Sequence, residues 1–171
     1  VNGDTIWHKV GSFEFTNQNN EKFSDKLLID KIYVADFIFT RCPSICKDMT
    51  KQMRRLYRAF ETDNEVVLVS HTVDPDYDTP IILKTYAEIQ GVKDHDKWIF
   101  LTGDKKSLYD VARNQYYATA TQGDGGPTDF VHTERFILVD KEKHIRGFYD
   151  GTKEAEVNRL MFDIELLKKE K

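Results

Sequence analysis

Cys42 and Cys46 are the only two cysteines among 171 residues, and they stand four positions apart in Phe39-Thr40-Arg41-Cys42-Pro43-Ser44-Ile45-Cys46. A strand-like run precedes them and a helix-like run follows. On a helix, residues i and i+4 share one face, so both sulfurs would point at the same spot. Such a pair can close into a reversible disulfide or grip a soft metal ion with two thiolates. A helix N-terminus offers unpaired N–H groups and partial positive charge, which lower a thiol pKa from about 8.5 to roughly 3.5–7.5. Arg41 adds a neighbouring cation. Two buried, inert cysteines would have no need of this setting.

The elements that must position the pair follow from hydrophobic periodicity. Residues 10–25 read as two short strands around the polar turn 17–20. Residues 31–40 are almost continuously apolar and β-branched or aromatic, as in a central strand buried on both faces. Residues 44–61 carry Ile45, Met49, Met53, Leu56 and Phe60 at helical spacing. Pro43 suits the first turn of that helix.

A second buried strand spans 65–73 and should lie parallel to the first across a right-handed crossover. A helix from Pro80 to Ile89 is capped by Thr79 or Asp78. A third strand covers 98–102, followed by a helix over 105–116 with Asp104 as its cap. A small-residue loop, 118–129, leads to a hairpin of 133–140 and 145–150 and a last amphipathic helix over 154–168. Parallel βαβ followed by antiparallel ββα is the thioredoxin-like arrangement, here an α/β fold with an N-terminal hairpin extension and one domain over 1–171. In it, the first long helix presents its N-terminus at the end of a central strand, where these cysteines lie.

Three residues separate the cysteines, where thioredoxin-type oxidoreductases have two. Cα atoms four apart on a helix lie about 6 Å apart, still within disulfide range, and the wider mouth can admit an ion. A metal site would need a third ligand. Among the five histidines, His8, His95 and His144 fall in an arm, a charged loop and a hairpin tip, and read as solvated. His71 lies inside a strand and reads as a core or strand-end residue. His132 precedes the penultimate strand, the point that faces the cysteine helix in thioredoxin-like proteins and usually carries a cis-proline there. The nearest proline, Pro127, is five residues too early.

Bulk composition narrows the function classes. Apolar residues at 40% and charged residues at 32% suit a globular domain with one core, and a net charge of −4 argues against nucleic-acid binding. No run approaches the ~20 apolar residues of a membrane span. Lys168 and Lys169 read as helix-end charge. The chain opens on Val1, so an anchor or export signal is expected to have preceded it.

Taken together, these motifs resemble the Sco/SenC family of extracytoplasmic copper proteins that serve cytochrome c oxidase assembly. The resemblance covers nearly the whole chain. Residues 13–24 are similar to its opening hairpin, and 39–46 to its F-T-x-C-P-x-x-C signature. Val69-Ser70-His71-Thr72-Val73-Asp74-Pro75 through Asp78-Thr79-Pro80 is similar to V-S-x-x-V-D-P-x-x-D-T-P. Leu101-Thr102-Gly103 and a lone His before Arg135-Phe136-Ile137-Leu138-Val139-Asp140 complete the match.

The resemblance implies that Cys42, Cys46 and His132 bind copper, and two thiolates with an imidazole do form a soft site suited to copper(I). It further implies a copper donor protein, the copper A subunit of cytochrome c oxidase as acceptor, and an extracytoplasmic, membrane-tethered location. Disulfide and copper states of the pair would exclude one another. Two departures stand out. Val131 replaces the family's usual Asp before the histidine, leaving Asp129 as a source of support for the imidazole, and Lys47 replaces a common Pro, which should affect docking.

Two other readings compete. A thiol–disulfide oxidoreductase could reduce the target's cysteines, although the spacing and the missing cis-proline disfavour a general thioredoxin. A thiol peroxidase would want Thr three residues before the attacking cysteine, whereas Thr40 is two before Cys42. Asp74-Pro75 reads as a turn-shaping pair. The glycines of 123–126 lack a following Gly-Lys-[Ser/Thr], so they read as a mobile arm that could swing His132 onto copper, not as a phosphate loop.

Overall fold

A computed structural model describes residues 7–170. Its centre is one seven-stranded sheet in the order β2-β1-β5-β4-β3-β6-β7. The strands are β1 (Glu14–Asn17), β2 (Lys22–Ser24), β3 (Ile32–Ile38), β4 (Val66–Thr72), β5 (Trp98–Thr102), β6 (Arg135–Val139) and β7 (Ile145–Asp150). β3, β4 and β5 run parallel, while β6 lies antiparallel to β3 and β7 to β6. The order β4-β3-β6-β7 is the thioredoxin-like core that the sequence implies. β5 and the β1–β2 hairpin widen it on one side.

Every residue of β3, β4 and β5 is buried, because both faces of the sheet are covered. The period of two along β3 divides the core. Ile32, Val34 and Ile38 pack with α1 (Ile45–Phe60), α2 (Pro80–Ile89) and α4 (Glu154–Lys169) through Met49, Met53, Leu83, Leu160 and Ile164. Tyr33, Ala35 and Phe37 face the opposite layer, where Phe13, Phe15, Leu108, Tyr109 and Tyr116 lie.

Thr79 caps α2, accepting from the Ile82 N–H, with Pro80 at the first helical position. Asp104 caps α3 (Lys105–Asp110) by accepting from Ser107 N–H at 2.9 Å. The helix expected to continue to Tyr116 instead widens into a π-turn over Val111–Gln115. That extra residue per turn delivers Tyr116 into the core, fully buried, with its hydroxyl 3.2 Å from that of Tyr33. Burial of one aromatic ring has overridden regular helix continuation.

Candidate metal centre

β3 ends at Ile38, and a tight turn carries the chain into the cysteine segment. The Cys42 N–H donates to the Phe39 carbonyl at 3.2 Å. α1 begins only at Ile45, with Ser44 at its N-cap in a non-helical conformation (φ −136°, ψ −97°). The sequence reading of both cysteines on one helical face therefore needs correction: Cys46 is in the first turn, but Cys42 precedes the helix. Pro43 is the reason. The α region is sterically disfavoured for a residue before proline, which works against a helical Cys42, and Pro43 lies two residues before α1 begins.

The turn is held from below by Asp78, which is completely buried. Its carboxylate accepts from the Thr40 N–H at 3.1 Å, from the Thr40 hydroxyl, and from the Thr72 hydroxyl at 2.6 Å. Val73 N–H adds a bond to the Ile38 carbonyl at 2.8 Å. The strand end, the cysteine turn and the start of α2 are thus tied at one carboxylate. Sequence reasoning placed Asp78 as a helix-cap candidate and missed this clamp, because its partners lie 38 and 6 residues away.

Both thiols are free and buried, 7% and 5% exposed. They are electrostatically unequal. Burial opposes the Cys42 thiolate, but hydrogen bonds from the Cys46 thiol, the Ser44 and Cys46 backbone and the Ser44 hydroxyl outweigh it, and its pKa falls below the ordinary value. Cys46 is pushed up to about 12, by burial first and then by its bond to Cys42. The negative charge of the pair is therefore favoured on Cys42 over Cys46. Arg41 does not contribute as the sequence suggests. Its guanidinium pairs with Asp74 at 2.7 Å and lies 3.9 Å from the Tyr77 ring centre. Asp74 also accepts from the Tyr77 and Asp78 N–H groups through its carbonyl, in keeping with a turn-shaping role.

His132 is exposed and lies outside any regular element. Among the described residues, no three His, Cys, Asp or Glu side chains form a group able to hold a metal ion. The structure brings Cys42 and Cys46 together but does not bring His132 into a cluster with them. What links the two loops is aromatic: Phe130 meets Phe39 edge-on, with ring centres 5.1 Å apart. Phe130 was not singled out from the sequence, and nothing local distinguishes it.

Asp129 does not support the imidazole. Its carboxylate takes Arg113 bidentately at 2.5 and 2.7 Å and the Gly125 N–H at 2.8 Å. Lys105 further binds the carbonyls of Gly126 and Asp129 at 2.8 and 2.7 Å. The glycines expected to form a mobile arm are therefore tied down, and Gly125 supplies the positive φ of 71° that this wrap requires. Val131 is a core residue, 1% exposed. On the far side, the Thr133 hydroxyl donates to the Ala118 carbonyl at 2.5 Å.

The remaining histidines carry other work. His8, His95 and His144 are half-buried, not freely solvated: His8 meets the Gln115 carbonyl and Tyr117, and His95 meets Gln18. His71 is completely buried within Phe13, Phe15, Phe37 and Tyr116, and burial lowers its pKa to about 4.

The profile of the SCO1/SenC family matches residues 5–164. This chain belongs to that family. Among solved structures, a SCO1/SenC family lipoprotein from Bacillus anthracis superposes with a TM-score of 0.80 at 29% identity, covering 99% of each chain. BsSco, described as a Sco family cytochrome c oxidase assembly protein with a disulfide switch, gives 0.79 at 29% identity and 98% coverage of each chain. ScoI of Arabidopsis thaliana, solved with copper bound, gives 0.70 at 26% identity, covering 91% of this chain and 94% of that one. The SCO1/SenC fold is thioredoxin-like, and the cysteine turn sits at the strand end where that fold gathers its chemistry. No helix among the described residues is long and apolar enough to cross a membrane.

Proposed function

We propose that this SCO1/SenC chain is a copper carrier, in which Cys42, Cys46 and His132 hold the ion as cargo and release it by ligand exchange. The observation that carries the reading is the pair of free, buried thiols that neighbour one another at the N-terminus of α1. Two sulfur donors in a largely dehydrated mouth favour a soft monovalent ion, and copper(I) accepts low coordination. Zinc in a structural site would call for four protein ligands. Copper bound to the related Arabidopsis protein supports the same cargo here. The proposed acceptor is the dinuclear copper A site of cytochrome c oxidase, with a copper donor protein upstream. The proposed location is extracytoplasmic, tethered to a membrane. The test is an anaerobic competition titration of reduced protein with copper(I), expected to give one ion per chain in the native protein and none in Cys42→Ala or Cys46→Ala. Undiminished binding in either variant overturns the reading.

A second reading is favoured by the inequality of the thiols. A low-pKa Cys42 beside a high-pKa Cys46 is the polarity of an attacking and a resolving thiol. The disulfide switch described for BsSco points the same way. In this reading the chain reduces or oxidises the cysteines of its target, and the reduced pair is also the copper-loading form.

A further inference from the structure

The outer face of α1 is basic in an acidic protein. The helix carries five cationic side chains, Lys47, Lys51, Arg54, Arg55 and Arg58, against one acid, Asp48, in a chain whose net charge is −4. Lys47, Lys51, Arg54 and Arg58 follow the spacing i, i+4, i+7, i+11, which gathers them into one stripe. Lys47, Lys51 and Arg58 are exposed and Arg54 is half-buried, while Met49, Met53, Leu56 and Phe60 turn the opposite face into the core. At 1.5 Å per residue the stripe runs about 16 Å along the helix, starting beside the cysteine turn.

The fold does not use these charges. Arg55 is a matched cation: it turns towards α4, where its guanidinium meets Asn158 at 2.6 Å and Glu154 at 4.0 Å. Arg41, Lys141, Arg146, Arg159 and Lys168 each have a carboxylate partner as well. Among the described residues no stripe cation forms an ion pair or a side-chain hydrogen bond, and the polar contacts of α1 pass through residues such as Thr50, Arg55 and Tyr57. Successive members of the stripe repel one another at i, i+3 or i+4. Lys47 also sits in the first turn, where the helix end is already positive, so the arrangement weakens the helix that carries it.

A surface that opposes its own helix and adjoins the proposed copper ligands calls for a partner of opposite charge. We propose that the α1 stripe docks an acidic segment of the protein that exchanges copper with Cys42 and Cys46, with one end of that segment at the cysteine turn. The inference rests on the copper-carrier reading above. A protein segment suits the stripe better than a membrane, because a helix face that binds lipid joins cations to large apolar side chains, and α1 exposes none. Exposed large apolar side chains lie on other elements, such as Ile81 and Ile89 of α2 and Phe162 of α4. Complementary charge raises the rate of encounter more than the final affinity, which suits an ion that has to be passed on.

The experiment follows anaerobic copper(I) transfer from the loaded protein to two synthetic peptides, each a fluorophore-labelled Cys-Gly-Gly-Cys extended by four glutamates or by four lysines. Copper keeps its oxidation state: peptide sulfurs replace the protein sulfurs, and the peptide thiol protons pass to the sulfurs left behind. At low salt the native protein should deliver copper at least about tenfold faster to the acidic peptide than to the basic one, a preference that fades as salt is added. The combined variant Lys51→Glu, Arg54→Glu, Arg58→Glu should abolish or reverse the preference; Lys47 is kept because it adjoins Cys46. The same charge change at Lys9, Lys26 and Lys106, exposed residues of segments that pack on the opposite layer, should preserve it. One copper(I) per chain in each variant verifies an intact site. Equal rates to the two peptides in the native protein, a preference that survives in the stripe variant, or one that the control variant also loses overturns the inference and leaves the carrier reading standing. Binding of the native protein to phosphatidylserine vesicles that the stripe variant loses would assign the stripe to a membrane and overturn it too. Native protein that takes up no copper(I) overturns both.

Discussion

The cysteine turn and the histidine loop meet at Phe39 and Phe130, yet they are built on different terms. The cysteine turn hangs between a fully buried strand and a helix N-terminus, clamped by Asp78, and both sulfurs are already together. The histidine loop is pinned at Asp129 and Thr133, and His132 between those pins is exposed and apart from the sulfurs. A site divided in this way separates two demands on a copper carrier. In the proposed carrier, two sulfur donors already side by side would supply affinity, because little reorganisation is needed when the ion arrives. In the same proposed carrier, a histidine that joins last would supply an exit, since one ligand could be exchanged for a partner's without disturbing the rest.

The contrast can be broken most severely from the cysteine side. Asp36→Asn removes a carboxylate that burial pushes up to about 7. An acid whose pKa is raised on folding gives a stability term present below its ordinary pKa and lost as pH rises through the folded value. The native protein therefore carries a penalty that grows between about pH 4 and 7, of roughly 4 kcal/mol at most above that range. The variant should match the native protein near pH 4 and exceed it at pH 8 in denaturant unfolding. Equal stability at pH 8 would show that the carboxylate finds a partner. His71, held neutral with a pKa of about 4, has the opposite sign. Its contribution is present above about pH 6.5 and lost as pH falls, so Asp36→Asn should expose a stability that rises from pH 4 to 6.5.

Next in size, Asp78→Ala leaves the Thr40 and Thr72 groups without their acceptor. The loss should be about 2–4 kcal/mol in unfolding free energy, together with weaker copper(I) binding. A variant that loses stability but keeps native copper affinity would show that the clamp serves the fold alone. On the histidine side, Arg113→Ala frees Asp129 and loosens the loop. Copper(I) release to a competing chelator should change in rate by more than the equilibrium affinity changes. Equal changes in both would indicate that the tether contributes binding strength instead of gating exchange.

Much of this was legible in the sequence because it is local. The strand over Trp98–Thr102, Pro80 at the start of α2 and the Asp104 cap follow from periodicity and capping chemistry within a few residues. The cysteine pair and His132 stood out by residue type and position. What escaped reading depends on distance along the chain. The pairing of Asp129 with Arg113 and the hold of Asp78 on Thr40 bring together residues 16 and 38 positions apart. Pro43 did carry a local signal, its exclusion of Cys42 from the helix, which outweighed the i, i+4 pattern. Asp36 carried one too: a lone acid inside an apolar strand run marks a buried charge that needs an explanation.

X-ray absorption at the copper edge, on reduced native protein loaded with one equivalent of copper(I) and on the same preparation of His132→Ala, tests the central claim most directly. Two sulfur ligands and one nitrogen ligand are expected in the native protein. In the variant the nitrogen should disappear and binding should weaken by roughly 10–100-fold, about 1.4–2.7 kcal/mol. A native spectrum with sulfur ligands only, unchanged by the substitution, would contradict the account.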